Sequence, residues 1–209
     1  MEQIKLCESL VKEIYEKMDA SHDFQHIERV YMNAEAILQT EPTANAKIVR
    51  LAVLLHDVSD AKYAADKSDE ARILAALSLT DEEVTHIQSI IAEVSFNGGN
   101  ELEATSIESK IVRDADRLDA IGAVGIARTF AYGGAKGRKL YDDAEEARGA
   151  MSVEEYRSKS TASVTHFYEK LLLLKDLMVT EKGRAMAEAR HAFMEQFLQQ
   201  LKQERDGIV

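Results

Sequence analysis

Apolar residues recur along this chain at three- and four-residue intervals, and no alternating β-branched run of useful length interrupts them. That period is helical. Ile27, Val30, Tyr31, Ala34, Ile37 and Leu38 form one stripe, which stops before Glu41-Pro42. Proline has no amide hydrogen to give a helix and its ring clashes with the preceding turn. Thr43 can cap the next helix, where Val49, Ala52, Val53 and His56 share a face. Thr80 with Glu83, Thr105 with Glu108, and Ser152 with Glu155 have capping-box spacing, in which hydroxyl and carboxylate each satisfy a free backbone amide. Breaks fall at Asn97-Gly98-Gly99-Asn100 and at Gly133-Gly134-Ala135-Lys136-Gly137. Two long helices are expected beyond the second break, about Ser152 to Lys175 and about Thr180 to Glu204. With no internal repeat, low-complexity tract or linker, the pattern predicts one all-α domain, a helical bundle over residues 1–209.

Composition narrows the class. A chain of 209 residues can bury a proper core, and 45% apolar against 30% charged residues is globular rather than disordered. No apolar run approaches the ~20 residues that span a bilayer, and Met1 to Glu8 lacks the apolar core of a signal peptide. A single cysteine, Cys7, excludes an internal disulfide and a thiolate-rich zinc site. A reduced, cytoplasmic setting is expected. The net charge of −11 repels nucleic-acid backbones and anionic lipid. One stretch departs from it: Arg113, Arg117, Arg128, Lys136, Arg138 and Lys139 face only three aspartates between residues 113 and 139. That segment is either a basic loop on an acidic protein or a local attraction for anions.

The candidate chemistry lies in His22-Asp23-Phe24-Gln25-His26, His56-Asp57 and Asp114-Ala115-Asp116. Imidazole nitrogens and carboxylate oxygens are the donors that borderline and hard divalent metals take. Ser21 is a candidate cap that places His22 in a first turn and His26 just inside the helix. His56 and Asp57 cannot point one way from a regular helix, but at a fraying helix end both side chains can converge. Taken singly, a histidine on an apolar face is ordinarily a hydrogen-bonded core residue, and an aspartate at a helix end a cap. One His, a His-Asp pair and an Asp on three separate helices are not ordinary scaffold. Composition does not decide among Asp114, Asp116 and Asp119.

The order His26, His56-Asp57, Asp116 resembles the HD-domain superfamily of metal-dependent phosphohydrolases, an all-α fold. His26-Ile27-Glu28-Arg29-Val30 is similar to its first motif, Leu54-Leu55-His56-Asp57 to its second, and Asp114-Ala115-Asp116-Arg117-Leu118-Asp119 to its last. In that last motif the second aspartate is the ligand. Segments from Ala120 to Ala123, Arg128 to Gly134 and His166 to Lys170 resemble a subgroup of small bacterial HD hydrolases. The resemblance implies His26, His56, Asp57 and Asp116 as ligands of one divalent metal. Manganese is the first choice, with magnesium, cobalt, nickel, iron or zinc as the others. Members with two metals carry two further histidines between the His-Asp pair and the final aspartate; here only His86 lies there. One metal is therefore favoured over a di-iron oxygenase.

The resemblance implies hydrolytic phosphoryl or nucleotidyl transfer on a phosphorylated small molecule. Asp57 holds the metal and orients water. Asp60 is either the general base or a loop acid, with Glu70 behind it. Arg29, Lys62, Arg117, His166 and Lys170 are the candidates to bind substrate phosphates. The subgroup resemblance points to nucleoside triphosphates cleaved to monophosphate and pyrophosphate. The alternatives are a nucleotidase or phosphodiesterase of the same superfamily and a nucleotide sensor with a vestigial metal site. No nucleic-acid or membrane partner is expected, and the acidic helical surface suits a monomer or small homo-oligomer.

Overall fold

The computed structural model describes residues 2–16, 24–59, 67–94, 102–149, 152, 154–155 and 161–208. Among them there are helices, turns and no strand. They fall into two compact units, one ending and the other beginning within a single helix, after Asp116. No helix among the described residues is long and apolar enough to cross a membrane. The expected cap Ser21 and the break at Asn97 to Asn100 lie outside the described residues.

The first unit is built around α3 (Ala46–Leu55). Seven of its ten residues are buried, from Ile48 through Leu55 with Arg50 as the gap. A helix apolar on all sides must be covered on all sides, and α1 (Glu2–Tyr15), α2 (Phe24–Leu38) and α5 (Asp81–Val94) pack against it. Each covering helix brings a stripe: Cys7, Val11, Ile14 and Tyr15 from α1, Ile27, Val30, Ala34 and Ile37 from α2, Ile87, Ile90, Ile91 and Val94 from α5. Burying one such side chain contributes roughly 1.5–3 kcal/mol. The short α4 (Ser68–Ala76) lies against α1.

Several helix starts differ from the expected ones. Asn45, not Thr43, caps α3, its Oδ1 accepting from the amides of Lys47 at 3.1 Å and Ile48 at 3.4 Å. Asparagine is a stronger cap and sits directly before the first turn. The Thr80–Glu83 box forms as expected, with bonds of 3.1 and 3.2 Å, as does Ser152–Glu155 at 2.8 and 3.2 Å. The Thr105–Glu108 box does not. Ser106 caps α6 (Ile107–Asp119) through Ser109 N at 3.0 Å, while Glu108 accepts from Asn45 N at 2.7 Å. Thr105 is claimed by Glu93, a buried carboxylate on α5.

Glu93 accepts from Thr105 N at 3.0 Å, Thr105 Oγ1 at 2.8 Å, Ser89 Oγ at 3.2 Å and Ser109 Oγ. Its own carbonyl accepts from Arg113 Nε at 2.9 Å, and Arg113 also reaches the Leu102 carbonyl. This cluster pins the start of α6 to the end of α5. Burial alone raises the Glu93 carboxyl, but the hydrogen bonds from Ser109, Thr105 and Ser89 outweigh it and hold it below the ordinary glutamate value.

The second unit comprises α7 (Gly122–Ala135), α8 (Ser163–Glu169), a 3₁₀ turn (Leu171–Leu173) and α9 (Glu181–Arg205). Helix α7 packs on α8 and α9, and Phe130, Phe167 and Phe197 meet with ring centroids 5.7–6.2 Å apart. Gly125 is there because a Cβ would lie 2.2 Å from the Ala120 carbonyl oxygen. The expected break at Gly133-Gly134 is helical instead, and the chain turns at Gly137, whose φ is 66°. The long helix expected to reach Lys175 stops at Glu169, where Lys170 leaves helical geometry with φ −139°. Helix α9 starts on the Thr180 cap, which accepts from Gly183 N at 3.0 Å.

The cationic segment is largely spent on the fold. Arg113 and Arg117 are buried on backbone carbonyls, Arg128 pairs with Asp119, and Lys139 pairs with Asp142 at 2.6 Å. Lys136 and Arg138 lie over the Tyr132 ring. Cationic excess in sequence is thus not cationic excess at one surface.

Glu93→Gln should lower unfolding free energy by about 1–3 kcal/mol at pH 7, the range for hydrogen bonds to a buried charged group. Because the folded carboxyl sits below its unfolded value of about 4.3, its stabilisation is complete above that pH and is lost as pH falls through the folded value. Urea titrations of both proteins should therefore converge in acid. Curves that stay parallel down to pH 3 would remove the carboxylate from this role.

Candidate metal centre

Helix α2, the end of α3 and the turn after it bring His26, His56 and Asp57 together, and α6 sets Asp116 beside both imidazoles. His26 lies in the first turn of α2, on the buried face that continues through Ile27, Val30 and Asn33. His56 is the residue at which α3 ends, and Asp57 comes next, in the turn. Asp116 rides on α6. The turn at Leu55–Val58, closed by Val58 N on the Leu55 carbonyl at 3.1 Å, lets His56 and the adjacent Asp57 aim the same way.

His26 Nε2 lies 3.3 Å from Asp57 Oδ2 and 3.5 Å from Asp116 Oδ1. His56 Nε2 lies 3.6 Å from Asp57 Oδ1 and 3.6 Å from Asp116 Oδ1. Among the described residues, His26, His56 and Asp57 form the one group of three or more such donors whose ligand atoms lie within 4.8 Å of one another. Atoms about 2.1 Å from a shared centre at the tetrahedral angle lie roughly 3.4 Å apart. The observed separations suit a common ion better than direct hydrogen bonds.

The second nitrogen of His56 supports that fit. Its Nδ1 lies 2.8 Å from the Val53 carbonyl oxygen, so Nδ1–H donates there and Nε2 is the nitrogen left to present a lone pair to a cation. Metal-bound histidines are commonly oriented by this contact. Nε2 itself is buried without a hydrogen-bond partner, a costly state for a polar atom unless something else occupies its lone pair. The His56 side chain is 1% exposed, whereas Asp57 and Asp116 are 28% and 29% exposed. The imidazoles form the floor of the centre and the carboxylates its solvent-facing side.

Electrostatics agree. Burial disfavours a charged His56, yet Asp57 and Asp116, with the Val53 carbonyl, raise the imidazole to about 10. Burial would likewise raise Asp116, but His56 and His26 hold it below the usual carboxylate range. Two carboxylates thus concentrate negative potential where two nitrogens converge. A positive charge is favoured there, and a divalent cation answers both carboxylates at once.

The other candidates have surroundings of their own. Arg29 is partly buried on α2, three residues from His26. Arg117 is buried and donates to the Leu177 carbonyl at 2.6 Å, a contact within the second unit. His166 lies on α8, where burial first, then Lys170 and Arg138, lower it to about 4. It is neutral at pH 7 and offers a hydrogen bond rather than the expected charge. Lys170 ends α8 with φ −139°, its amide still donating to the His166 carbonyl at 3.0 Å. Asp114 is fully buried, and Asp119 is paired with Arg128 in the second unit. His86 meets Ser106 Oγ at 3.2 Å and Glu108 at 3.7 Å. Glu70 is buried on α4, its Oε2 without a hydrogen-bond partner among the described residues. His22, Asp60 and Lys62 lie outside the described residues.

Comparison with known proteins adds an independent line. The family model of the HD domain matches residues 23–121. The chain is 37% identical to YpgQ of Bacillus subtilis over 221 aligned positions, covering 100% of this chain and 98% of that protein. Its structure is similar to a Lactobacillus plantarum protein, with TM-score 0.88 and 34% identity over 99% and 98% of the two chains. It is also similar to an HD-superfamily hydrolase from Bacillus thuringiensis, with TM-score 0.77 and 42% identity over 98% and 97%. The crystal structure of YpgQ in complex with ADP matches with TM-score 0.77 and 35% identity over 97% of this chain and 95% of that one.

Asp116→Ala should weaken divalent metal binding by more than about 100-fold, beyond the 10–100-fold typical of outer-shell partners. The metal-free fold should survive, since the substitution relieves repulsion between carboxylates rather than opening the core. Calorimetric titration with Mn²⁺ and a circular-dichroism melt measure the two effects. A variant that keeps parent affinity would take Asp116 out of the centre.

Proposed function

The chain belongs to the HD superfamily of metal-dependent phosphohydrolases, and we propose that it is a nucleotide pyrophosphohydrolase, converting nucleoside or deoxynucleoside triphosphates to monophosphate and pyrophosphate. The observation that carries the reading is the cluster of His26, His56 and Asp57, the one such group among the described residues, with Asp116 beside both imidazoles and His56 Nε2 buried without a hydrogen-bond partner. Four donors suit one ion with positions left for ligands, as a catalytic centre requires. A nucleotide as substrate is supported by the relative YpgQ, whose structure was solved with ADP. The completeness of the donor set argues against a sensor with a vestigial site.

His26, His56, Asp57 and Asp116 hold the ion. A divalent metal bound there supplies Lewis acidity, polarising a phosphoryl oxygen and making water more acidic. The residues do the rest. His56, locked by the Val53 carbonyl, cannot turn its lone pair away. Asp57, partly exposed, orients the attacking water. Asp60 takes its proton as the oxygen bonds to the α-phosphorus. The bond from that phosphorus to the bridging oxygen breaks, and pyrophosphate leaves with both electrons. Arg29, Lys62 and Lys170 supply charge toward the phosphates and His166 a neutral donor, assignments that rest on the sequence resemblance, whereas Arg117 is committed to the Leu177 carbonyl. Manganese is the preferred ion, a choice that rests on the subgroup resemblance.

A panel of nucleoside mono-, di- and triphosphates with Mn²⁺, Mg²⁺ or Co²⁺, read for both phosphate and pyrophosphate, tests the reaction. Triphosphates should give equimolar monophosphate and pyrophosphate and no free phosphate. Release of phosphate alone would make the enzyme a nucleotidase or stepwise phosphohydrolase instead. Asp60→Asn should keep the metal and lower turnover by about 10²–10⁴-fold, the contribution of a general base; unchanged turnover would make Asp60 a loop acid. Lys170→Ala should lower kcat/KM by roughly 10–100-fold with metal affinity untouched, the loss expected for one charge-assisted hydrogen bond. Parent kinetics would remove it from substrate binding.

A further inference from the structure

We infer that Asn33 is a positioning residue of the metal centre, setting the helix that carries Asp116 in register with the helix that carries His26. Asn33 is buried on α2, seven residues after His26. Seven residues is nearly two full turns, so the two side chains stand on one face, about 10 Å apart along the axis. Asn33 Nδ2 donates to the carbonyl oxygen of Ala115 at 3.0 Å. Ala115 is the residue immediately before Asp116, which meets His26 Nε2 at 3.5 Å and His56 Nε2 at 3.6 Å.

The chemistry of that contact makes it a ruler rather than a cap. Ala115 lies within α6, four residues before its end, so its carbonyl already has the intrahelical acceptor role. The Asn33 amide fills the second lone pair. An apolar residue here would still leave the Ala115 carbonyl its intrahelical partner, and α6 does not need the bond to close. What the bond adds is direction. A hydrogen bond weakens steeply with distance and angle, so this one fixes where α6 stands along α2. A shift of about 1 Å along α6 would carry Asp116 away from both imidazoles together. Asp116 therefore depends on a contact made by its neighbour's backbone to a residue two turns from His26.

This inference rests on the metal reading of His26, His56, Asp57 and Asp116, and the test separates the two. Mn²⁺ alone is the probe, titrated calorimetrically into metal-free full-length protein, with the rise in Tm on adding Mn²⁺ as a second readout. Asn33→Leu, with the same branching and no donor, should bind Mn²⁺ about 10–100-fold more weakly, as for outer-shell partners of other metal sites, and show a smaller metal-induced rise in Tm. The comparison variant is Ile87→Val, a buried α5 change remote in sequence from all four donors. It should lower the metal-free Tm but leave Mn²⁺ affinity at the parent value. Asn33→Ser, which keeps a polar group but is too short to span the gap to the Ala115 carbonyl, should behave like Asn33→Leu and serves if the leucine variant does not fold. Parent Mn²⁺ affinity in the Asn33 variants overturns the inference while sparing the metal reading. So does an equal loss in Ile87→Val, which would mean that affinity follows stability alone. No Mn²⁺ binding by the parent overturns both.

Discussion

Two carboxylates held against the same pair of imidazole nitrogens are the constraint around which the first unit is arranged. Asp57 and Asp116 each approach both His26 and His56 within 3.3–3.6 Å. Like charges so placed repel unless positive charge lies between them. The fold does not relieve the repulsion by turning one side chain outward; it supplies two nitrogen donors and seals His56 beneath them. A bound cation is the economical answer to that arrangement, and the same negative potential explains why His56 protonates so readily without one.

Holding four donors in one place takes rigidity that the donors do not provide. Helix α3 is buried on every side and ends at His56, so the apolar packing of α1, α2 and α5 fixes where the His-Asp pair emerges. Helix α6 is held by polar contacts. Glu93 gathers its start, Glu108 ties it to the Asn45 amide at the head of α3, and Asn33 meets it beside Asp116. Apolar contact sets the distance between helices and buried hydrogen bonds set their register. Both are needed because a metal centre tolerates little error in either.

The pattern of apolar positions was a reliable guide to which faces are buried, since burial tracks the helical period directly. Ile27, Val30, Ala34 and Ile37 are buried on α2 as their spacing implies. Helix ends were less legible. Thr43 lost to Asn45, which stands directly before the first turn, and Thr105 to Ser106 because the Thr105 hydroxyl has a better partner. For Thr105 that partner is Glu93, twelve residues earlier. Likewise Gly133 and Gly134 remain helical, since glycine permits a break without imposing one.

Chemistry was legible in the sequence where identity and spacing alone sufficed. A His, a His-Asp pair and an Asp, in that order on helices, mark the donor set because few other combinations serve a divalent ion. Composition left three aspartates open, the motif resemblance pointed to Asp116, and the tertiary structure sets Asp116 beside both histidines. Asp114, Asp116 and Asp119 sit within six residues, and only the rotation of α6 against α2 turns Asp116 to the histidines while burying Asp114 and giving Asp119 to Arg128. The same holds for the cations. Composition counted six in one segment, but packing set Arg113 and Arg117 on backbone carbonyls and left His166 neutral. Sequence determines which groups a chain can offer. Their charge, direction and partners depend on burial and on contacts between residues far apart in the chain, and those exist only in the fold.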